Sequence, residues 1–230
     1  MTGMPRWTAR EAVLFDLDGT LADTAADLCA AANGLRAEDG LAPLSLAEFR
    51  PWVSRGGKAM LDVALSHREE SARAAMLATF LARYADECAR HTRLFSPLPE
   101  LLDALEAAAV PWGIVTNKPF HLAEAVVEGL GLSTRCAVLL GGDSLPRKKP
   151  DPLQLVTACA RIGVAPAAAV YVGDDLRDVE AAHACGMPCI AAGWGYVPPG
   201  QSAHGWGADL VLDAPAELFH ALGLEPVAAA

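Results

Sequence analysis

In the run Val13-Leu14-Phe15-Asp16-Leu17-Asp18-Gly19-Thr20, a short apolar stretch delivers two carboxylates separated by one residue and then breaks at a glycine. Two like charges this close repel, so a compensating cation is needed. Hard carboxylate oxygens suit Mg²⁺, which takes few protein ligands and keeps positions for water and phosphate oxygens. An apolar run of strand length bounded by a turn residue reads as a buried parallel strand, and ligand sites in open α/β sheets lie just beyond the carboxyl ends of such strands. Read alone, the run fits a strand followed by a solvated acidic turn equally well.

Three later segments repeat the pattern: Trp112-Gly113-Ile114-Val115-Thr116, Ala137-Val138-Leu139-Leu140-Gly141 and Ala169-Val170-Tyr171-Val172-Gly173-Asp174-Asp175. Each predicts a strand whose end faces the same crevice. Between the second and third lies Arg147-Lys148-Lys149-Pro150-Asp151-Pro152, a basic loop whose prolines restrict the backbone and permit a helix to start directly afterwards.

Asp16-x-Asp18-Gly19-Thr20, Thr116, Lys149 and Gly173-Asp174-x-x-x-Asp178 resemble, in order and spacing, the four motifs of the haloacid dehalogenase-like (HAD) hydrolase superfamily. The resemblance runs through essentially the whole chain. Trp112 to Pro119 and Lys149-Pro150-Asp151-Pro152 narrow it to the phosphoglycolate phosphatase-like branch. Within that branch, Glu87-Cys88-Ala89-Arg90-His91, Gly173 to Asp178 and Trp206-Gly207-Ala208-Asp209 are most similar to bacterial members that act on N-acetylmuramic acid 6-phosphate.

The resemblance implies a Rossmann-like (flavodoxin-like) parallel sheet, a helical cap inserted after the first motif, and Mg²⁺-dependent hydrolysis of a small phosphate monoester. N-acetylmuramic acid 6-phosphate, in peptidoglycan recycling, is the implied ester and phosphoglycolate the alternative. A phosphosugar mutase would keep all four motifs, and release of inorganic phosphate separates it from a phosphatase. A haloacid dehalogenase has no need of Asp18 or of the acids around Asp174.

On this reading Asp16 is the nucleophile, forming an aspartyl-phosphate that splits one hard displacement into two. Asp18 protonates the leaving oxygen and later deprotonates water, while the resemblance implies that its backbone carbonyl faces the metal. Asp174 is expected to be the second carboxylate ligand of Mg²⁺, with Asp175 and Asp178 as outer or water-mediated supports; Asp178 also reads as a helix N-terminal acid. The Thr116 hydroxyl, and N–H groups after it at a helix start, are expected to donate to phosphoryl oxygens, although a plain helix cap fits Thr116 too. Asn117 joins this pocket, and Lys118 either lines it or is a solvated lysine. Lys149, with Lys148 as its rival, supplies a point charge opposite the phosphate. In the cap, Arg55, Gly56 and Lys58 of Arg55-Gly56-Gly57-Lys58 are the candidate substrate-reading residues, against a plain interhelical turn.

These side chains need a scaffold. Between the first strand and Leu98 only helical patterning is visible, too long for an ordinary crossover, and Met76, Phe80, Tyr84 and Cys88 mark one apolar stripe of a long helix, read as bundle core. Residues 23–96 are therefore expected to form an inserted helical cap, with 1–22 and 97–230 as the catalytic core. Afterwards helices predicted near Pro99 to Ala109, Leu122 to Leu130, Leu153 to Ile162 and Leu176 to Ala184 alternate with strands, followed by strands at Pro188 to Ala192 and Ala208 to Leu212 and a helix near Ala216 to Leu222. Such alternation predicts a parallel sheet covered on both faces.

Composition bounds the partners. The formal net charge of −10 argues against a general nucleic-acid binder, which needs a basic footprint. A mean hydropathy of +0.25 comes with much alanine and no apolar stretch of bilayer length, and the start shows no apolar signal core. A cytoplasmic protein, a monomer or weak dimer with no membrane partner, is the expectation. Of the six cysteines only Cys185 and Cys189 are near neighbours, so reduced, mostly buried thiols are expected ahead of a zinc site; the six histidines show no metal-ligand spacing, and only His91 is a candidate for a cap role.

Overall fold

β1 (Ala12–Phe15) is four apolar residues, all buried, because it lies mid-sheet with layers on both faces. The computed structural model describes residues 10–225. Its main sheet has six strands, adding β4 (Trp112–Val115), β5 (Val138–Leu140), β6 (Ala169–Gly173), β7 (Cys189–Ala192) and β8 (Leu210–Leu212). All neighbours are parallel, in the order β5-β4-β1-β6-β7-β8. Counted along the chain this is the Rossmann order 3-2-1-4-5-6, and the direction of winding reverses between β1 and β6.

Alternate side chains serve the two faces. Val13, Phe15, Ile114, Val170 and Val172 pack with α6 (Leu98–Ala107), α7 (Phe120–Gly129) and α10 (Glu217–Leu222). Ala12, Leu14, Val115 and Tyr171 pack with α8 (Leu153–Ile162) and α9 (Leu176–Ala184). The helix positions agree with the sequence pattern because their stops are local: α8 ends on Gly163, whose φ of 86° terminates the helix without a Cβ penalty.

Between β1 and α6 the chain is mainly helical: α1 (Ala25–Glu38), α2 (Leu46–Phe49), α3 (Gly57–Ala64), α4 (Glu70–Ala75) and α5 (Leu77–Glu87), with a 3₁₀ turn at Arg50–Arg55. The stripe of Met76, Phe80, Tyr84 and Cys88 falls on the 11-residue α5, with Met76 and Cys88 as its caps. One expectation needs correction. The stretch also contains strand pairing, because β2 (Ala22–Asp23) and β3 (Arg93–Leu94) form an antiparallel ribbon where the chain enters and leaves the helices. Two-residue strands leave no periodicity to read. Leu28, Leu35, Phe49, Phe80 and Tyr84 are buried in the same apolar cluster as Phe15 and Leu17.

Asp27, buried in the first turn of α1, ties this entry to the exit. Its carboxylate accepts from the His91 N–H at 2.9 and 3.1 Å, the Thr92 N–H at 2.9 Å and the Thr92 hydroxyl at 2.7 Å. A hydrogen bond to a charged group contributes about 1.5–3 kcal/mol, and an orphaned N–H costs more than the bond was worth. Asp27→Ala should therefore lose roughly 3 kcal/mol in urea unfolding, and a loss under about 1 kcal/mol would contradict the tie.

Candidate active site

Asp16 leaves β1 and Asp174 leaves β6, two hydrogen-bonded neighbours, so both carboxylates stand at the winding reversal. Asp178, one turn into α9, completes the group: each of the three offers an oxygen, all within 4.8 Å of one another, and all three residues are buried. Burial first, and then the charges of Asp16 and Asp178, push the Asp174 carboxyl far above its usual range. Burial likewise raises Asp178 to about 7, with the Asp16 charge adding and Lys149 opposing.

Lys149 is the cation of this floor. It is buried, with its ammonium 2.9 Å from Asp16 Oδ1 and 2.7 Å from Asp178 Oδ1. Burial disfavours its charge, but the two carboxylates outweigh that and raise it to about 12. The ammonium donates to the Val115 carbonyl at 3.0 Å and to the Tyr171 hydroxyl at 2.7 Å, and that hydroxyl donates to the same carbonyl at 2.6 Å. Gln154, in the first turn of α8, accepts from the Lys149 N–H at 3.1 Å and donates to the Gly141 carbonyl at 2.7 Å, which fixes the basic loop to the strand ends. Lys148 is exposed.

Asp16 Oδ1 is buried, and its one close cationic neighbour is the Lys149 ammonium at an ion-pair distance of 2.9 Å. One ammonium does not balance three buried carboxylates, and a hard divalent cation is the further partner that suits them. Asp16, Asp174 and Asp178 are therefore the side chains that fit a metal. Asp174 is oriented by three donors: the Thr20 hydroxyl on Oδ1 at 3.2 Å, and on Oδ2 the Tyr196 N–H at 2.7 Å and the Ser54 hydroxyl at 2.8 Å. Asp175 turns away. It caps α9 by accepting from the Arg177 N–H, and it pairs with the Arg177 guanidinium.

Asp18 points its carboxylate elsewhere, to the Thr24 hydroxyl at 2.5 Å and the Lys118 ammonium at 3.0 Å. Lys118 is buried, not solvated, and sits 4.4 Å from the centroid of the Tyr84 ring, brought by α5. The open end of the site is a cavity of about 360 Å³ bounded by Asp16, Asp18, Thr116, Asn117, Lys118 and Lys148 on one side and by Leu28, Val53 to Lys58, Met60, Leu77, Leu81 and Tyr84 on the other.

The chain matches the family model for the haloacid dehalogenase-like hydrolase over residues 13–192. It belongs to the haloacid dehalogenase-like hydrolases. It is 48% identical over 208 residues to a phosphoglycolate phosphatase of Xanthomonas campestris pv. campestris, covering 90% of this chain and 94% of that one. It is 41% identical over 213 residues to an N-acetylmuramic acid 6-phosphate phosphatase of Pseudomonas aeruginosa, covering 92% and 94%. A crystal structure from Haemophilus somnus 129PT, described as a predicted phosphoglycolate phosphatase, superposes with a TM-score of 0.81 at 26% identity, covering 92% and 97%. The enzymatic class is that of these relatives, the phosphoric monoester hydrolases.

Of the residues expected from the sequence of this HAD-like hydrolase, Asp16, Asp174, Asp178 and Lys149 converge on one floor, and Asp18, Thr116 and Asn117 line the cavity above it. Thr116 does not open a helix. Its hydroxyl oxygen accepts from the Lys118 N–H at 3.2 Å, Pro119 has no N–H, and the first N–H of α7, from Phe120, goes to Asp143 at 2.7 Å. The first helical N–H is thus taken by Asp143, and Thr116 keeps a hydroxyl proton to donate. Arg55 and Lys58 border the cavity with partners of their own: Arg55 lies 5.9 Å from the Trp52 ring centroid, and Lys58 pairs with Asp62 and Glu70.

Of the three segments that carry the finer resemblance, only Gly173 to Asp178 is at the site. Asp209 accepts from the Cys189 N–H at the opposite end of the sheet, and His91 meets Asp27 through its backbone. Tyr171, Gln154, Tyr196 and Ser54 were not singled out by sequence. Each acts on a residue at least five positions away, and no local motif marks that.

Asp178 holds its proton up to about pH 7 in the folded protein against 3.8 ordinarily, so between those values the native state binds more protons than the unfolded chain and stability falls as pH rises. Asp174 acts in the same direction. With a chelator present, melting temperature should decline from pH 5 to 7.5, and Asp178→Asn should flatten the decline. An equal slope in both proteins would refute the assignment.

Proposed function

We propose that the enzyme hydrolyses a small phosphate monoester through an aspartyl-phosphate on Asp16, with residues 23–96 as a cap over the phosphate site. The observation that carries this reading is the Asp16 carboxylate at the floor of the cavity, buried beside Asp174 and Asp178 and 2.9 Å from a buried ammonium. Asp16 attacks phosphorus and the ester oxygen departs, taking a proton from Asp18. Asp18 then removes a proton from water as it attacks the aspartyl-phosphate, releasing inorganic phosphate and freeing Asp16. Lys149 balances the charge of Asp16 and of the phosphoryl oxygens, and the Thr116 hydroxyl donates to one of them.

Mg²⁺ is the metal that this acidic floor suits, with Asp16 and Asp174 as its carboxylate ligands and Asp178 beside them. When bound, it neutralises the anions that must approach each other. The Asp18 carboxylate is held by Thr24 and Lys118, and the main-chain carbonyl of Asp18 joins the ligands only as the family resemblance implies. No helix among the described residues is long and apolar enough to cross a membrane.

N-acetylmuramic acid 6-phosphate is the substrate we favour. A cavity of about 360 Å³ lies in the range that encloses ligands larger than a two-carbon ester, and Leu28, Met60, Leu77, Leu81 and Leu122 on its wall offer apolar contact that phosphoglycolate has no surface to use. The ester's carboxylate would draw Arg55 or Lys58, whose present exposed pairs are worth little. Phosphoglycolate is the second reading, supported by the 48% identical relative of that name.

The test is kcat/KM for both esters with Mg²⁺, read as phosphate released, since that ratio measures differential transition-state binding. We expect preference for the sugar phosphate, and a clear preference for phosphoglycolate would reject that substrate while leaving the chemistry standing. Asp16→Asn should fold normally and lose turnover by at least a thousandfold, on the order expected when a covalent nucleophile is removed; normal turnover in a folded variant would reject the chemistry itself.

A further inference from the structure

Ser54 lies 120 positions from Asp174 in sequence, yet its hydroxyl donates to Asp174 Oδ2 at 2.8 Å. Its carbonyl accepts from the Arg177 guanidinium, which is itself held on Asp175 at 2.7 and 2.9 Å. The 3₁₀ turn that carries Ser54 is tied at its other end as well. Arg50 pairs with Asp23 and lies 5.1 Å from the Tyr196 ring centroid, and Tyr196 donates its hydroxyl to Asp23 at 2.7 Å and its N–H to Asp174 Oδ2. One turn of the insertion is thus fastened to the linker and to the floor at once.

Each carboxylate oxygen has two acceptor positions. Asp174 Oδ2 has both filled, by Ser54 and Tyr196, and Oδ1 has one filled, by Thr20. One position, on Oδ1, is left for a cation. Without the Ser54 hydroxyl, Oδ2 keeps only the Tyr196 N–H and has an open acceptor position, so the carboxylate loses the one donor that comes from the insertion.

We propose that Ser54 is a positioning residue that couples closure of the insertion over the floor to binding of a divalent cation at Asp174. The proposal rests on the reading of the acidic floor as the Mg²⁺ site. Coupling of this kind is reciprocal: closure strengthens cation binding, and the cation strengthens closure by the same factor.

The test compares the natural protein with Ser54→Ala, Ser54→Thr and Arg177→Gln by two readouts that need no turnover. One is the rise in melting temperature on Mg²⁺ titration, and the other is amide hydrogen exchange at residues 22–25 and 92–96 with and without Mg²⁺. Loss of an outer partner of a metal ligand weakens binding roughly 10–100-fold, so Ser54→Ala should bind Mg²⁺ at least about tenfold more weakly and lose the Mg²⁺-dependent slowing of exchange. Ser54→Thr, which keeps the hydroxyl, should retain both. Arg177→Gln breaks the second tie and should lose most of the slowing, so the coupling stays testable if Ser54→Ala does not fold. Natural Mg²⁺ affinity in folded Ser54→Ala, or natural slowing in Arg177→Gln, overturns the inference alone. No Mg²⁺ response in the natural protein overturns the metal reading and the inference with it.

Discussion

Three buried carboxylates share one buried ammonium at the end of the sheet, and the surrounding architecture serves that imbalance. An isolated charge in an apolar interior is costly, and a buried pair repays its desolvation only when the remaining donors and acceptors are satisfied. Lys149 is satisfied by Val115, Tyr171 and two carboxylates, and its loop is pinned by Gln154. Asp178 divides its oxygens: Oδ2 accepts the Asp175 N–H and so caps α9, while Oδ1 faces Lys149. Helix capping and site electrostatics thus depend on one side chain. The order of the strands matters for the same reason, since β1 and β6 must be neighbours for Asp16 and Asp174 to share a space.

A second ion pair sits beside the first and is built differently. Lys118 and Asp18 meet at 3.0 Å with Tyr84 against the ammonium. Burial works against the Lys118 charge, but Asp18 and the Tyr84 contact outweigh it and hold the ammonium protonated. Lys149 is enclosed by core elements alone, whereas one wall of the Lys118 site comes from α5 in the insertion. The environment of Asp18 thus depends on the insertion through Tyr84, as that of Asp174 does through Ser54.

Much of this was readable from residues 13–20, 112–116 and 169–178, because an apolar run ending in an acid or hydroxyl forces both the strand and the direction of its end. Asp16, Asp18 and Asp174 were read that way, whereas Lys149 was chosen over Lys148 by the Lys149-Pro150-Asp151-Pro152 spacing. What the pattern missed depends on contacts between distant segments. Tyr84 was read as bundle core from its i+4 spacing, and it is buried, but one face of its ring meets Lys118. Lys118 read equally as a pocket residue or a solvated lysine, because a lysine before a proline carries no mark of burial; it is buried and lines the cavity. Ser54 and Tyr196 sit in a 3₁₀ turn and a loop, where no periodicity operates. The finer family resemblance was legible at Glu87 to His91 and Trp206 to Asp209, but these segments support α1 and the far edge of the sheet, so they mark relatedness without reading the substrate.

The density of the floor sets a further constraint, visible in its glycines. A Cβ at Gly195 would stand 2.2 Å from Asp174 Cβ, and one at Gly173 would stand 2.3 Å from Asp178 Oδ2. Gly19 adds a φ of 84° and would crowd Asp174 Oδ2 at 2.2 Å. Real Cβ atoms do not approach so closely, so any larger residue there would displace a carboxylate. The backbone itself therefore forms the walls against which Asp174 and Asp178 are pressed. Gly173 ends β6 and is held by the parallel ladder, so there the rigid part of the fold directly supports the Asp178 oxygens. Gly19 and Gly195 lie in the loops that follow β1 and β7, and their close approach confines Asp174 from those loops.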